Sequence, residues 1–155
     1  MKFNSQICTT KEQSERLLAL GLKKETADMM FIVLVKDFRG EDVPNAERVY
    51  SLCTWYEETS MSVGLEKREY IPAWSLHRLI EMMPQGIQDC SYRCFALAVN
   101  SEGVSYEYHD IDEEGQGYTD SIGCTDLYDN LYDDIIAHIE WLIKEGYFNK
   151  EYLEE

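Results

Sequence analysis

Positive charge is what this sequence has least of. Its 14 Lys and Arg stand against 30 Asp and Glu, for a net charge of −16 and a pI near 4.5. A field of that sign repels nucleic-acid phosphates and anionic lipid. The two basic pairs, Lys23-Lys24 and Lys67-Arg68, are short and have Glu beside them, so no basic stripe tracks a phosphate backbone. Long apolar runs are missing too. The longest, residues 29–35, falls far short of the ~20 residues that span a bilayer. Residues 1–16 contain Lys2, Asn4, Lys11, Glu12 and Glu15, which leaves no apolar core for a secretory leader. The 5 cysteines are dispersed, odd in number and without a C-x-x-C pair, against a complete disulfide framework or a zinc ribbon. Also absent are G-x-x-x-x-G-K-[ST], G-x-G-x-x-G and H-E-x-x-H, and Ser75 sits in a W-S-L context unlike a hydrolase elbow. These absences predict a cytoplasmic protein with reduced thiols and no cofactor, direct nucleic-acid contact or membrane contact. Any docking partner is expected to be a protein, and a basic one.

What is present supports a core. The 155 residues are 45% apolar, with 11 Tyr, 5 Phe and 3 Trp. That composition excludes a disordered class. A chain of this length buries about two-thirds of its unfolded surface, so residues 1–155 are expected to form a single domain.

Thr9 to Glu12 has the spacing of a capping box and opens a helix over residues 10–20, closed by Gly21. Residues 30–36 are uniformly apolar and β-branched, as in a strand buried on both faces, and residues 49–56 make a second strand. Residues 57–70 are polar, with Gly64, and are expected to form a mobile excursion. Residues 71–84 predict a helix bounded by Pro72 and Pro84, with Leu76, Leu79, Ile80 and Met83 on one face. A hairpin follows: a strand over 92–100, a three-residue loop ending in Gly103, and an alternating strand over 104–109 with Val104, Tyr106 and Tyr108 on one face. Residues 110–120 read as an acidic loop. A long helix capped by Thr125 runs to about residue 145 before Gly146, and Asn149 caps a short tail helix within residues 149–155. The order α-β-β-α-β-β-α predicts an α+β domain, with one four-stranded antiparallel sheet packed against helices.

Few residues invite chemistry. Asp110, Asp112 and Glu114 occupy positions 1, 3 and 5 of a calcium loop, and Gly115 falls at position 6. The pattern then fails, because position 12 is Ser121 rather than a bidentate Glu. Asp134 and His138 are four residues apart on the last helix and can pair or offer two metal ligands, without a third in any motif. His109 adjoins Asp110, and Cys124 precedes a helix N-terminus with no base beside it. No catalytic constellation is expected. The Tyr-rich strands and last helix suit either sheet-to-helix packing or an amphipathic binding surface.

Three stretches, residues 7–29, 71–84 and 130–153, carry a resemblance in the same order along the chain. They resemble a group of small uncharacterised proteins carried by prophages and conjugative elements of anaerobic gut bacteria. The resemblance implies a mobile-element origin and a cytoplasmic setting, and brings no activity or cofactor. Together with the acidity it favours a non-catalytic protein-interaction module. The alternatives are an acidic inhibitor or nucleic-acid mimic acting on a basic DNA-binding protein, and a small metal-dependent enzyme using the Asp and His groups above.

Overall fold

The computed structural model describes residues 6–37, 39–44, 50–54, 67–100, 103–123 and 130–154, with backbone alone at 50–54 and 67. Among these residues it is α+β, with three α-helices and two antiparallel sheets. The chain divides into two compact units, residues 1–78 and 79–155. No helix among the described residues is long and apolar enough to cross a membrane.

The first unit contains α1 (Lys11–Ala19), β1 (Met29–Lys36), β2 (Tyr50–Thr54) and β3 (Lys67–Ala73), in the sheet order β2-β1-β3. β1 is the central strand, and its buried residues, Met30 and Val33, are three apart and so lie on opposite faces. The capping box of α1 is one residue later than expected. Thr10 accepts from the Gln13 N–H while the Gln13 side chain reaches back to the Thr10 N–H. Thr9 instead makes a longer-range link. Its hydroxyl oxygen accepts from the Trp74 main-chain N–H at 3.0 Å and pairs with the Ser14 hydroxyl. Gly21 closes the helix with φ +88°. The Trp74 indole is fully buried and its N–H donates to the Thr26 hydroxyl at 2.9 Å.

The expected helix over residues 71–84 is shorter at its front. Ile71, Pro72 and Ala73 end β3, the Ser75 hydroxyl oxygen accepts from the Arg78 N–H as a cap, and α2 spans Leu76–Met82. Proline's fixed φ suits a strand as well as a first helical turn, and it pushes the preceding residue toward extended geometry. β3 is an edge strand, where the missing N–H is tolerated.

The second unit holds a meander, β4 (Gly86–Gln88), β5 (Cys94–Asn100), β6 (Gly103–Ile111) and β7 (Gly117–Ile122), paired in that order, with α3 (Leu131–Glu145) packed on β6. Its core gathers Leu79, Ile87, Phe95, Tyr106, Ile135, Ile139 and Leu142. Alternation on β6 is as expected: Val104 and Tyr106 are buried and His109 is exposed. Gly146 ends α3 with φ +78°, and Asn149 caps a 3-10 turn over Lys150–Tyr152.

The single four-stranded sheet is therefore corrected, among the described residues, to two sheets of three and four strands. Three strands were not anticipated. β3 begins within the expected excursion 57–70, whose residues 57–66 lie outside those described. β4 has only three residues, and β7 lies in the expected acidic loop. Gly103, expected to end the hairpin loop, instead begins β6 and pairs with Asn100, and residues 101 and 102 lie outside those described. The Thr125 cap falls outside the described residues, and the first described turn of α3 is capped by Asn130, whose side chain accepts from the Tyr132 N–H.

Candidate functional site

The β6–β7 hairpin extends past its neighbours. Pairing of β6 with β5 stops at Glu107, whereas β6 and β7 stay paired out to Ile111 and Gly117. Asp112 builds the turn: its Oδ1 accepts from the Glu114 and Gln116 N–H groups at 3.0 and 2.7 Å, and its own N–H donates to the Gln116 carbonyl at 2.9 Å. Gly115 takes the left-handed conformation, φ +82°, that ends a three-residue hairpin loop. Asp110 is also engaged, accepting from the Ile111 N–H and from the Tyr108 hydroxyl. The Tyr108 hydroxyl holds the Asp110 carboxyl below the usual range, and the same bond raises the Tyr108 phenol.

The three residues at positions 1, 3 and 5 of the calcium-loop pattern consequently serve different ends. Asp110 and Asp112 bond to the chain itself, while Glu114 is an exposed turn residue. Among the described residues no group of three or more His, Cys, Asp or Glu is placed to hold a metal ion. At the hairpin end, Tyr118 on the Asp110 face remains 44% exposed and Ile111 on the opposite face remains 68% exposed, with Asp112, Glu113 and Glu114 in the turn beyond them.

Positive charge is again what is scarce. The sequence contains no Lys or Arg between Arg93 and Lys144. Arg93 is clamped between Asp89 and Asp120, with its guanidinium 5.2 Å from the Phe95 ring centroid and 5.7 Å from that of Tyr108. Two carboxylates neutralise that single cation, so the field at the hairpin stays negative.

The other face of the hairpin carries a chain of bonds that sequence reasoning missed. The Ser105 hydroxyl donates to Glu107 at 2.7 Å, Glu107 lies 3.2 Å from His109 Nε2, and His109 Nδ1 lies 2.9 Å from the Thr119 hydroxyl. Strand alternation puts residues 105, 107 and 109 on one face, and the His109–Thr119 register completes the set. That register has no local signal in the sequence, because β7 lies in a stretch whose composition predicts a loop. The order acid, imidazole, hydroxyl is that of an activated nucleophile. Here it lies on an exposed sheet face, with His109 open to water, which removes the low-dielectric surroundings such chemistry uses.

Asp134 and His138 do meet, as their spacing predicts, but inside the second unit. His138 is 2% exposed, and its Nδ1 lies 3.0 Å from the Asp134 main-chain oxygen and 3.2 Å from its Oδ1. Both neighbours are acceptors, so Nδ1 carries the proton. Asp134 Oδ2 accepts from the Val104 N–H at 2.7 Å, which ties α3 to the start of β6. Glycine makes this approach feasible at both ends. A Cβ on Gly103 would collide with Asp134 Oδ2, and one on Gly123 would lie 2.9 Å from His138 Nε2. His138 Nε2 has no hydrogen-bond partner among the described residues and packs against Gly123. The pair acts as a packed strut.

Of the cysteines, Cys8 is buried and its thiol is raised by burial and by Asp28, whereas Cys90 and Cys94 are exposed. Cys124 lies outside the described residues. Comparison with protein-family models, curated proteins and solved structures finds no match for the chain.

Proposed function

We propose that this chain is a non-catalytic, acidic protein-interaction module that docks a basic partner protein through the end of the β6–β7 hairpin. The observation that carries this reading is an exposed apolar side chain on each face of the hairpin end, Tyr118 on one and Ile111 on the other, with Asp110, Asp112, Glu113 and Glu114 around them in a stretch free of unneutralised cations. Apolar area gives affinity, while a one-signed rim steers a partner of opposite sign and rejects like-charged ones. The turn is held by the Asp112 cap, so the surface is preorganised. A metal-dependent enzyme has no comparable support, since Asp110 accepts from Ile111 and Tyr108, Asp112 Oδ1 serves the turn, and Asp134 and His138 are buried. An accessory role for a mobile element in a cytoplasm accords with the sequence resemblance and with the scarcity of positive charge.

The reading is tested by adding a Lys- and Arg-rich peptide to the 15N-labelled protein at low ionic strength. Amide shifts concentrated on residues 108–120 are expected. Shifts spread evenly over all exposed carboxylates would contradict a built docking surface.

A further inference from the structure

β7 ends the order β4-β5-β6-β7, so no strand pairs with its outer edge among the described residues. The Asp112–Gln116 closure and the unbroken pairing back to Tyr106 and Ile122 define which groups face that edge. In an antiparallel ladder alternate residues bond to the partner strand. Counting from the closure, Tyr118, Asp120 and Ile122 bond toward β6, while Gly117, Thr119 and Ser121 direct their N–H and C=O outward. The Ser121 N–H fits this phase, because it is taken by the Asp120 carboxylate at 3.0 Å rather than by β6. The outward N–H groups of Gly117 and Thr119 are on the open side.

Proteins commonly guard such an edge with lysine, proline, a bulge or a very short strand. β7, Gly-Tyr-Thr-Asp-Ser-Ile, has six residues, no Lys or Pro, and no bulge in its pairing with β6. Charge is the guard that remains. A second copy of this chain, itself at −16, is repelled from the edge, whereas a cationic strand is drawn to it.

We propose that the partner's docking element is a basic extended segment that adds as a fifth strand along β7, bonding to the Gly117 and Thr119 backbone. This rests on the docking role proposed above and specifies its mode. Strand addition draws affinity from main-chain bonds and specificity from alternate side chains. On one face of the added strand, Lys or Arg would lie beside Tyr118 and near Asp110 and Asp120. On the other, small or β-branched residues would lie against Thr119 and Ser121. The segment recognised thus alternates a cation with a small or β-branched residue.

The probe is an amidated seven-residue peptide alternating Lys and Val, compared with the same peptide N-methylated at every second amide. Charge is identical in the two, and the protein is left untouched. Strand addition predicts that N-methylation weakens binding about tenfold or more. It also predicts that the unmodified peptide slows hydrogen exchange at Gly117 and Thr119. A Thr119→Pro variant, which removes an outward N–H and leaves the β6 ladder intact, should lose a similar factor. Equal binding of both peptides to residues 108–120, with Gly117 and Thr119 still exchanging freely, would overturn strand addition and leave the docking role standing. Failure of both peptides to bind at low ionic strength would overturn both.

Discussion

Replacing Asp134 with alanine separates a structural strut from a ligand or catalytic acid. The substitution removes the acceptor of the Val104 N–H, a buried bond of 2.7 Å at the junction of α3 and β6. A hydrogen bond to a charged group contributes about 1.5–3 kcal/mol, and the stranded donor is left without water. The Nδ1–H of His138 keeps the main-chain oxygen of residue 134, which limits the further loss. The total should be about 2–4 kcal/mol, or roughly 5–15 °C in Tm for a chain of this size. Urea denaturation followed by circular dichroism measures it. Asp134→Asn keeps one acceptor oxygen and should cost about half as much. A loss below about 0.5 kcal/mol for Asp134→Ala would refute the strut. Zinc should not raise the Tm of the unmodified protein. A zinc-dependent rise abolished by His138→Ala would mean that the pair is a ligand set after all.

Three further outcomes follow from the same structure. Trp74→Ala should cost about 3–5 kcal/mol, because the indole is fully buried in the first unit, while Trp74→Phe should cost less, leaving chiefly the Thr26 hydroxyl without its indole donor. Gly123→Ala should destabilise measurably in thermal unfolding, since φ is +136° and the new methyl meets the His138 ring. The Asp110–Tyr108 bond should make stability depend on pH at both extremes. The depressed Asp110 carboxyl stabilises above the ordinary carboxylate range, an effect lost as pH falls through its folded value. The raised Tyr108 phenol stabilises below the ordinary tyrosine range, an effect lost as pH rises through its folded value. Spectrophotometric titration should show Tyr106 and Tyr108 ionising late, Tyr106 through burial, and Tyr108→Phe should remove one late phase.

Legibility in the sequence followed local periodicity. Gly21 and Gly146 marked helix ends because a left-handed cap favours glycine, and both have positive φ. The alternation of Val104, Tyr106 and Tyr108 gave the β6 face directly. Pro72 misled because its φ serves a strand and a helix start alike, and only pairing with Met30 decides between them. β7 was hidden because Gly-Tyr-Thr-Asp-Ser-Ile has no apolar run; its strand exists through pairing to β6, which no local pattern reports. The same blind spot concealed the His109–Thr119 contact and the open edge. The spacing of Asp134 and His138 was readable, but their burial was not, since it depends on Gly103 and Gly123 approaching from distant positions.

The central claim, that docking is built into the hairpin rather than spread over an acidic surface, is tested most directly by two variants of equal charge. Glu113→Gln with Glu114→Gln neutralises two carboxylates at the hairpin turn, and Glu15→Gln with Glu145→Gln neutralises two exposed carboxylates elsewhere. Rim charges contribute about 0.5–1 kcal/mol each at low ionic strength. Calorimetric titration with the Lys-Val peptide should therefore show the hairpin variant binding about 5- to 30-fold more weakly, and the remote variant nearly unchanged. Equal losses in the two would show that net charge alone drives binding, and would contradict the claim.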